Sequence, residues 1–400
     1  MRFTAVLLLC VLCALPAHAQ NLAIVDVTAY TSPEAAPRRH TTVLILKGKI
    51  SSSGSHIQVP AGTPRLPCKD CFVFAGFWNC HVHFTGDQWT GAAHLPADSL
   101  TRELQKMLTG SGFTTVVDTS SDTENTVDLR RRIDKGEVSG PRIYTAGIGL
   151  YPTHGIPFYL DNLPQAIRAK LFQPSTLSEA SQDVQHNIDS GTDIVKLFTG
   201  SYLSPERVAH MSPDIAQAAV AQGHKHQQLV FAHPSDLGGI RVAMNSGVDV
   251  LAHAPDTVDG VDNALLSEIV QHRMAMIPTL KLFSRTNNIV RIREIVAHFH
   301  TLGGELLFGT DTGFLSDDSV VEEYRQLALS GLSFQEVLAM LTTAPAGRFR
   351  LPPSEGRIQP GASGDLTVLG SNPAQGTMED FANVRYTIRA GKVIFQKEPR

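Results

Sequence analysis

Six side chains in this 400-residue sequence have the types and placement to do metal chemistry. His81 and His83 are separated by one residue, so on a strand both face the same side and form a workable pair of metal ligands. Lys196 lies inside the apolar run 193–198, where an ammonium is costly unless its charge is removed or paired. His233 and His253 close the apolar runs 229–233 and 248–253, and Asp311 closes the run 305–311. Taken singly, each reads as an ordinary core histidine or turn residue. Taken together, they converge on one pocket if their runs are neighbouring strands that end on the same side. The set contains no thiolate, which suits zinc, manganese or another divalent ion.

Convergence requires a scaffold, and the body of the chain supplies a pattern for one. Eight short apolar runs, at 72–78, 114–119, 142–147, 193–198, 229–233, 248–253, 274–280 and 305–311, alternate with helical periods. They are rich in Val, Ile, Leu and Phe with little alternation, as parallel strands buried on both faces are. Eight such units predict an α/β fold, a (β/α)8 TIM barrel, whose active site lies at the C-terminal strand ends. Thr176 with Glu179, and Ser333 with Glu336, read as capping boxes, and Ser212-Pro213 as a helix start. The stretch 148–175, with four prolines, is long for a connection and reads as a functional lid.

The two ends differ from the body. Residues 22–71 hold short alternating strands, including 53–59, and residues 356–397 hold more. Each end alone is too small for a good core, so together they predict a small flanking β-sandwich domain. The expected domains are 1–19, a signal peptide; 20–71 plus 350–400, the β-sandwich; and 72–349, the barrel. Arg2, the apolar stretch 5–15, Pro16 and Ala17-His18-Ala19 make up the signal-peptide reading. The mature chain is therefore expected to be exported, periplasmic or secreted, and free of membrane. A net charge of −4 with no long basic run argues against nucleic acid. Cys68 and Cys71 could close a small disulfide loop, a pairing that the sequence leaves open. Alternation sends Cys80 away from His81 and His83, as a buried inert thiol.

The constellation resembles the amidohydrolase superfamily in its binuclear, metal-dependent form, over nearly the whole mature chain. Residues 75–83, Ala-Gly-Phe-Trp-Asn-Cys-His-Val-His, look like the family's first-strand motif, with Ala75 in place of the common proline and Asn79 in place of the common aspartate. Thr342, Pro345-Ala346, Gly356-Arg357-Ile358, Pro360-Gly361 and Gly364-Asp365-Leu366 resemble its ending, with Gly364 where alanine is usual. The resemblance implies that His81, His83 and Asp311 bind the more buried metal, and that His233 and His253 bind the second. It implies that Lys196 is carboxylated by carbon dioxide and bridges both ions, with zinc the expected metal. A bridging hydroxide would attack the substrate, and Asp311 would carry its proton to the leaving group.

Mononuclear deaminases of this superfamily usually lack the lysine and carry a glutamate three residues after the fifth-strand histidine, where this chain has Asp236. The prolidase-like and imidazolonepropionase-related group is the nearer resemblance. That implies hydrolysis of a C–N bond in a small substrate, either a dipeptide such as Xaa-Pro or an N-acyl amino acid. His154 and Tyr202 stand where that group often contacts substrate; Trp89, Tyr151, Lys281 and Arg285 are weaker candidates for the pocket wall. A lactonase, esterase or phosphotriesterase on the same site is the alternative, with a deaminase behind it and a non-catalytic binding protein last. Homo-oligomers are also plausible for such a fold.

Overall fold

The structure is a computed structural model that describes residues 20–163 and 165–398. The signal-peptide reading of 1–19 falls outside the described residues. Strands β1 (Leu22–Ala29), β2 (Arg38–Leu46) and β3 (Lys49–Gly54) form an antiparallel meander. Strands β4 (Arg65–Pro67) and β5 (Phe72–Ala75) both pair parallel with β1. The strand expected over 53–59 ends at Gly54, where β3 gives way to a turn.

The apolar run 72–78 is not the single strand that its composition predicts: it divides at Gly76. The Gly76 N–H donates to Asp365 O at 2.8 Å, and a Cβ there would lie 2.1 Å from Thr114 Oγ1. Only glycine lets the chain pass so close to its neighbour. Beyond it, β6 (Phe77–Val82), β7 (Phe113–Asp118) and β8 (Arg142–Thr145) make one parallel sheet. After β9 (Ile194–Phe198), a hairpin of β10 (Gly200–Ser204) and β11 (Arg207–His210) interrupts the pattern. A second parallel sheet runs through β9, β12 (Leu229–His233), β13 (Val250–Leu251) and β14 (Ala275–Met276).

Backbone bonds join the two parallel sheets. Asp193 N–H donates to Thr145 O at 2.8 Å, linking the β8 and β9 sides. The eighth apolar run is not a regular strand, but it bonds to both of its neighbours. Leu307 N–H donates to Met276 O at 2.9 Å, and Cys80 N–H donates to Phe308 O at 2.7 Å. In these two sheets a helix lies between each strand and the next. The capping boxes of Thr176 with Glu179 and Ser333 with Glu336 are formed, and Pro213 opens its helix. The chain returns through β15 (Leu366–Leu369), β16 (Val384–Arg389) and β17 (Lys392–Gln396), and β15 pairs antiparallel with β5. Both chain ends therefore share one eight-stranded sheet, with its own apolar cluster around Ile24, Val43, Val73 and Val368.

Side chains from the parallel strands and the segments that continue them, among them Val117, Ile194, Phe231, Ala252, Ile277 and Leu307, form a cluster beneath the site. Cys80 is buried with a free thiol, as expected. However, it packs within this cluster, because a register shift between Asn79 and Val82 breaks the alternation on which its predicted facing relied.

Backbone crowding makes Gly239 sensitive to substitution. A Cβ at Gly239, in the first turn of the helix Leu237–Ser246, would sit 1.8 Å from Pro234 O, in the loop after His233. Gly239→Ala is expected to cost about 1–3 kcal/mol. Gly347, in the helix Thr343–Arg348, has open space around it, so Gly347→Ala is expected to be neutral or slightly stabilising. Urea midpoints of the two variants check this contrast.

Candidate functional site

The six sequence candidates come together at the C-terminal ends of the parallel strands. His81 Nε2 lies 3.2 Å from Asp311 Oδ1, and His83 Nε2 lies 3.0 Å from the same oxygen. The two Nε2 atoms are 3.2 Å apart. The His253 ring lies 4.4 Å from that of His81 and 4.6 Å from that of His233, centroid to centroid. Lys196 Nζ sits 5.3 Å from the centre of the Phe198 ring, which in turn stacks on His233.

Hydrogen bonds on the far side of each ring set its tautomer. His81 Nδ1 lies 2.6 Å from Ala252 O, and His83 Nδ1 lies 2.7 Å from Ser120 O. A carbonyl only accepts, so both Nδ1 atoms carry the proton and each neutral ring turns an Nε2 lone pair inward. His253 Nδ1 lies 2.8 Å from Thr279 Oγ1, whose own proton goes to Pro278 O at 2.8 Å, so His253 has the same tautomer. His233 Nε2 is buried with no partner among the described residues.

Two lone pairs and a carboxylate oxygen at 3.0–3.2 Å repel unless something positive lies among them. A proton is one solution. Burial lowers the pKa of His83, but its hydrogen bond and charge interaction with Asp311 outweigh this and raise it. A divalent cation is the other solution. Two ligand atoms each about 2.05 Å from a tetrahedral zinc stand about 3.3 Å apart, close to these separations. Donor atoms of His81, His253 and Asp311 all fall within 4.8 Å of one another and could hold a metal ion. The residues present therefore fit such an ion.

Burial dominates the electrostatics of the site. It brings His81 down to about 4 and drives His233 and His253 well below the usual histidine range. Asp311 is held well below the carboxylate range because His81 and His83 outweigh its burial. Lys196 is 1% exposed, and burial lowers its pKa to about 7, against the pull of Asp311 and Asp118.

Several residues to which the sequence alone gives no role position these groups. Asn79 Nδ2 donates to Thr310 Oγ1 at 2.7 Å, and Asn79 Oδ1 accepts from His81 N–H and Thr310 N–H, both at 3.2 Å. It thus ties the histidine strand to the aspartate segment. Asp118 accepts from Ser121 Oγ and Thr145 Oγ1, both at 2.5 Å, and so shapes the turn that presents Ser120 O to His83. Asp118 closes β7, and its place near the end of the apolar run 114–119 could have identified it. Thr279 (φ 47°) and Asp311 (φ 57°) hold left-handed backbone, unusual above all for a β-branched residue.

The outer candidates fare unevenly. Tyr202 is half-buried on β10, its hydroxyl 2.9 Å from Thr257 Oγ1. His154 is exposed on the long loop, which is bound to the Tyr202 hairpin by Ser201 Oγ–H donating to Gly155 O at 2.5 Å. Tyr151 is buried and stacks on Phe198. Trp89 packs in the core against Phe84 rather than on a pocket wall. Lys281 is bonded to the carbonyls of Asp317 and Ser319, and Arg285 is exposed. Asp236, at the deaminase position, is engaged: it caps its helix by accepting from Gly239 N–H at 2.9 Å and lies 2.8 Å from His210 Nε2.

Two measurements follow from this geometry. Thr279→Val removes the acceptor for His253 Nδ1–H and is expected to weaken zinc affinity about 10–100-fold with the fold intact, read by competition with a chelating dye. Glu323 is fully buried behind this turn, accepting from Lys281 N–H at 2.7 Å, and burial raises its pKa to about 8. The folded chain thus keeps a proton that the unfolded chain releases above the ordinary glutamate range. Stability should fall as pH rises toward and through 8, and Glu323→Gln should lose this part of the slope in urea titrations at pH 6–9.

Comparison with known proteins identifies the family. A sequence profile of the Amidohydrolase family matches residues 72–394. Ochratoxinase of Aspergillus niger is 22% identical over 392 residues, covering 86% of this chain and 80% of its own. A solved Xaa-Pro dipeptidase with bound methionine has a TM-score of 0.76 at 19% identity, over 94% of this chain and 100% of its own. A prolidase complexed with N-methylphosphonate-L-proline has a TM-score of 0.77 at 22% identity, again over 94% and 100%. These structural likenesses establish a shared fold. The profile match over most of the length establishes the family: the chain belongs to the amidohydrolase family and is a hydrolase.

Proposed function

We propose that the chain is an exported binuclear metallohydrolase that cleaves the amide bond of a small peptide-like substrate, either a dipeptide such as Xaa-Pro or an N-acyl amino acid. The observation that carries this reading is the convergence of His81, His83 and Asp311 donor atoms at 3.0–3.2 Å, with His233, His253 and Lys196 beside them. Prolidase and dipeptidase structures among those of like fold support the choice of bond. We read the two linked parallel sheets as a (β/α)8 barrel of residues 72–349, with β5 contributed to a flanking β-sandwich of 20–71 and 350–400. The Cys68–Cys71 disulfide supports export to an oxidising compartment. No described helix is long and apolar enough to cross a membrane.

His81, His83 and Asp311 would hold one ion and His233 and His253 the other. Two divalent ions there, zinc in our reading, would acidify water and polarise the scissile carbonyl. Lys196 is carboxylated in this reading. Its burial keeps a neutral amine available near pH 7, and that amine adds to carbon dioxide with loss of a proton. The resulting carbamate would remove the cost of a buried cation and would make Lys196 an anionic ligand for metal. Asp311 takes the proton of the attacking water and delivers it to the leaving nitrogen. Tyr202 and His154, on adjoining loops, would contact the substrate's outer part. The engagement of Asp236 as a helix cap counts against a deaminase.

A substrate panel separates the readings. Dipeptides and N-acyl amino acids are expected to be hydrolysed, with lactones, phosphotriesters and amino-heterocycles slow or inert. Lys196→Ala is expected to lower kcat/KM for the best amide by at least about a hundredfold. Full activity in that variant, or a clear preference for lactones, contradicts the proposal.

A further inference from the structure

One acid at the mouth of the site has no role in this reading. Asp256 lies three residues beyond His253, on the loop that leaves β13. The loop backbone is firmly held: Asp256 N–H and Thr257 N–H both donate to Ser235 O at 3.0 Å, and Asn288 Nδ2 donates to Asp256 O at 3.0 Å. Thr257 Oγ1 meets the Tyr202 hydroxyl. The side chain itself is not satisfied. Asp256 Oδ1 is shielded from solvent and has no hydrogen-bond partner among the described residues. The neighbouring charges that act on it come from Asp311 and Asp236, which add to burial and raise its pKa to about 7.

A carboxylate oxygen shielded from solvent without a donor is costly, and among the described residues no side chain supplies it with a donor or a cation. A partner that satisfies it carries N–H donors and positive charge, and a substrate held between the histidine cluster and Tyr202 can bring one, because the neighbouring Thr257 already meets Tyr202. An α-ammonium meets those conditions: it has donors and no acceptor, and it sits one carbon from the carbonyl of a peptide bond. A metal ion at this place would find a single carboxylate, too few ligands for a site of its own.

We propose that Asp256 anchors the α-ammonium of the substrate's amino-terminal residue, so that the site selects free dipeptides over N-acyl amino acids. The inference rests on the amide-hydrolase reading and settles the choice of substrate class left open there. An N-acyl substrate offers a neutral chain at this point and leaves the carboxylate unpaired, and a site built to bond a substrate N–H discriminates strongly against the analogue lacking it.

Matched substrates test this. L-alanyl-L-proline and N-propionyl-L-proline differ only in the ammonium, and the same pair with phenylalanine as leaving residue covers a different leaving group. The wild-type kcat/KM ratio is expected to favour the alanyl substrate by about tenfold to a hundredfold, and Asp256→Asn is expected to bring that ratio close to one, with Asp256→Glu retaining part of it. A ratio within one enzyme does not depend on how much of a variant is folded. A wild-type ratio near one, or a ratio unchanged in Asp256→Asn, overturns the inference while leaving the amide-hydrolase reading intact. Failure to hydrolyse any of the four, together with N-acyl amino acids at large, overturns that reading and the inference with it.

Discussion

The site depends on where three imidazole protons point. Ala252 O, Ser120 O and Thr279 Oγ1 each engage an Nδ1 and so turn the Nε2 lone pairs of His81, His83 and His253 inward. None of these acceptors belongs to the strand that carries the histidine it orients. Ala252 follows β13, Ser120 follows β7, and Thr279 follows β14, so the ligand set exists only when the strands hold their register. A slip of one residue on any of them would withdraw an acceptor and let a ring invert. This makes the packing of the apolar cluster beneath the strands a condition of the chemistry above it.

The same arrangement explains where the backbone is strained. Thr279 and Asp311 hold left-handed conformations, one to place a hydroxyl behind His253, the other to turn a carboxylate toward two histidines. Such positions persist because the surroundings over-determine them. Asn79 does so for the aspartate segment, bonding to both Thr310 and His81. An asparagine where the family usually has aspartate keeps the acceptor oxygen and gains a donor, and both are used.

Much of the site was legible because its residues lie at the ends of apolar runs, a pattern that needs no knowledge of tertiary contacts. His233, His253 and Asp311 close their runs, Lys196 is an ammonium inside one, His81 and His83 share a two-residue spacing, and the structure brings the six together. The helix starts were equally legible, since a capping box is a local device. What escaped depended on distant contacts. The break at Gly76 is set by the approach of Thr114 and Asp365, and nothing in the run 72–78 announces it. Lys281 and Trp89 looked like pocket residues until the 317–319 carbonyls and Phe84 claimed them. Asp118 followed the strand-end rule and was passed over, while Asp256 stood out only once its carboxylate was found without a partner.

Convergent lone pairs are the central claim, and a direct count of what binds to them tests it. Metal content should be measured by plasma mass spectrometry on protein prepared with zinc and bicarbonate and then freed of loosely bound ions. About two ions per chain is the predicted result. Less than one ion per chain would contradict the account, because the inward-turned histidines and Asp311 would then be holding protons alone.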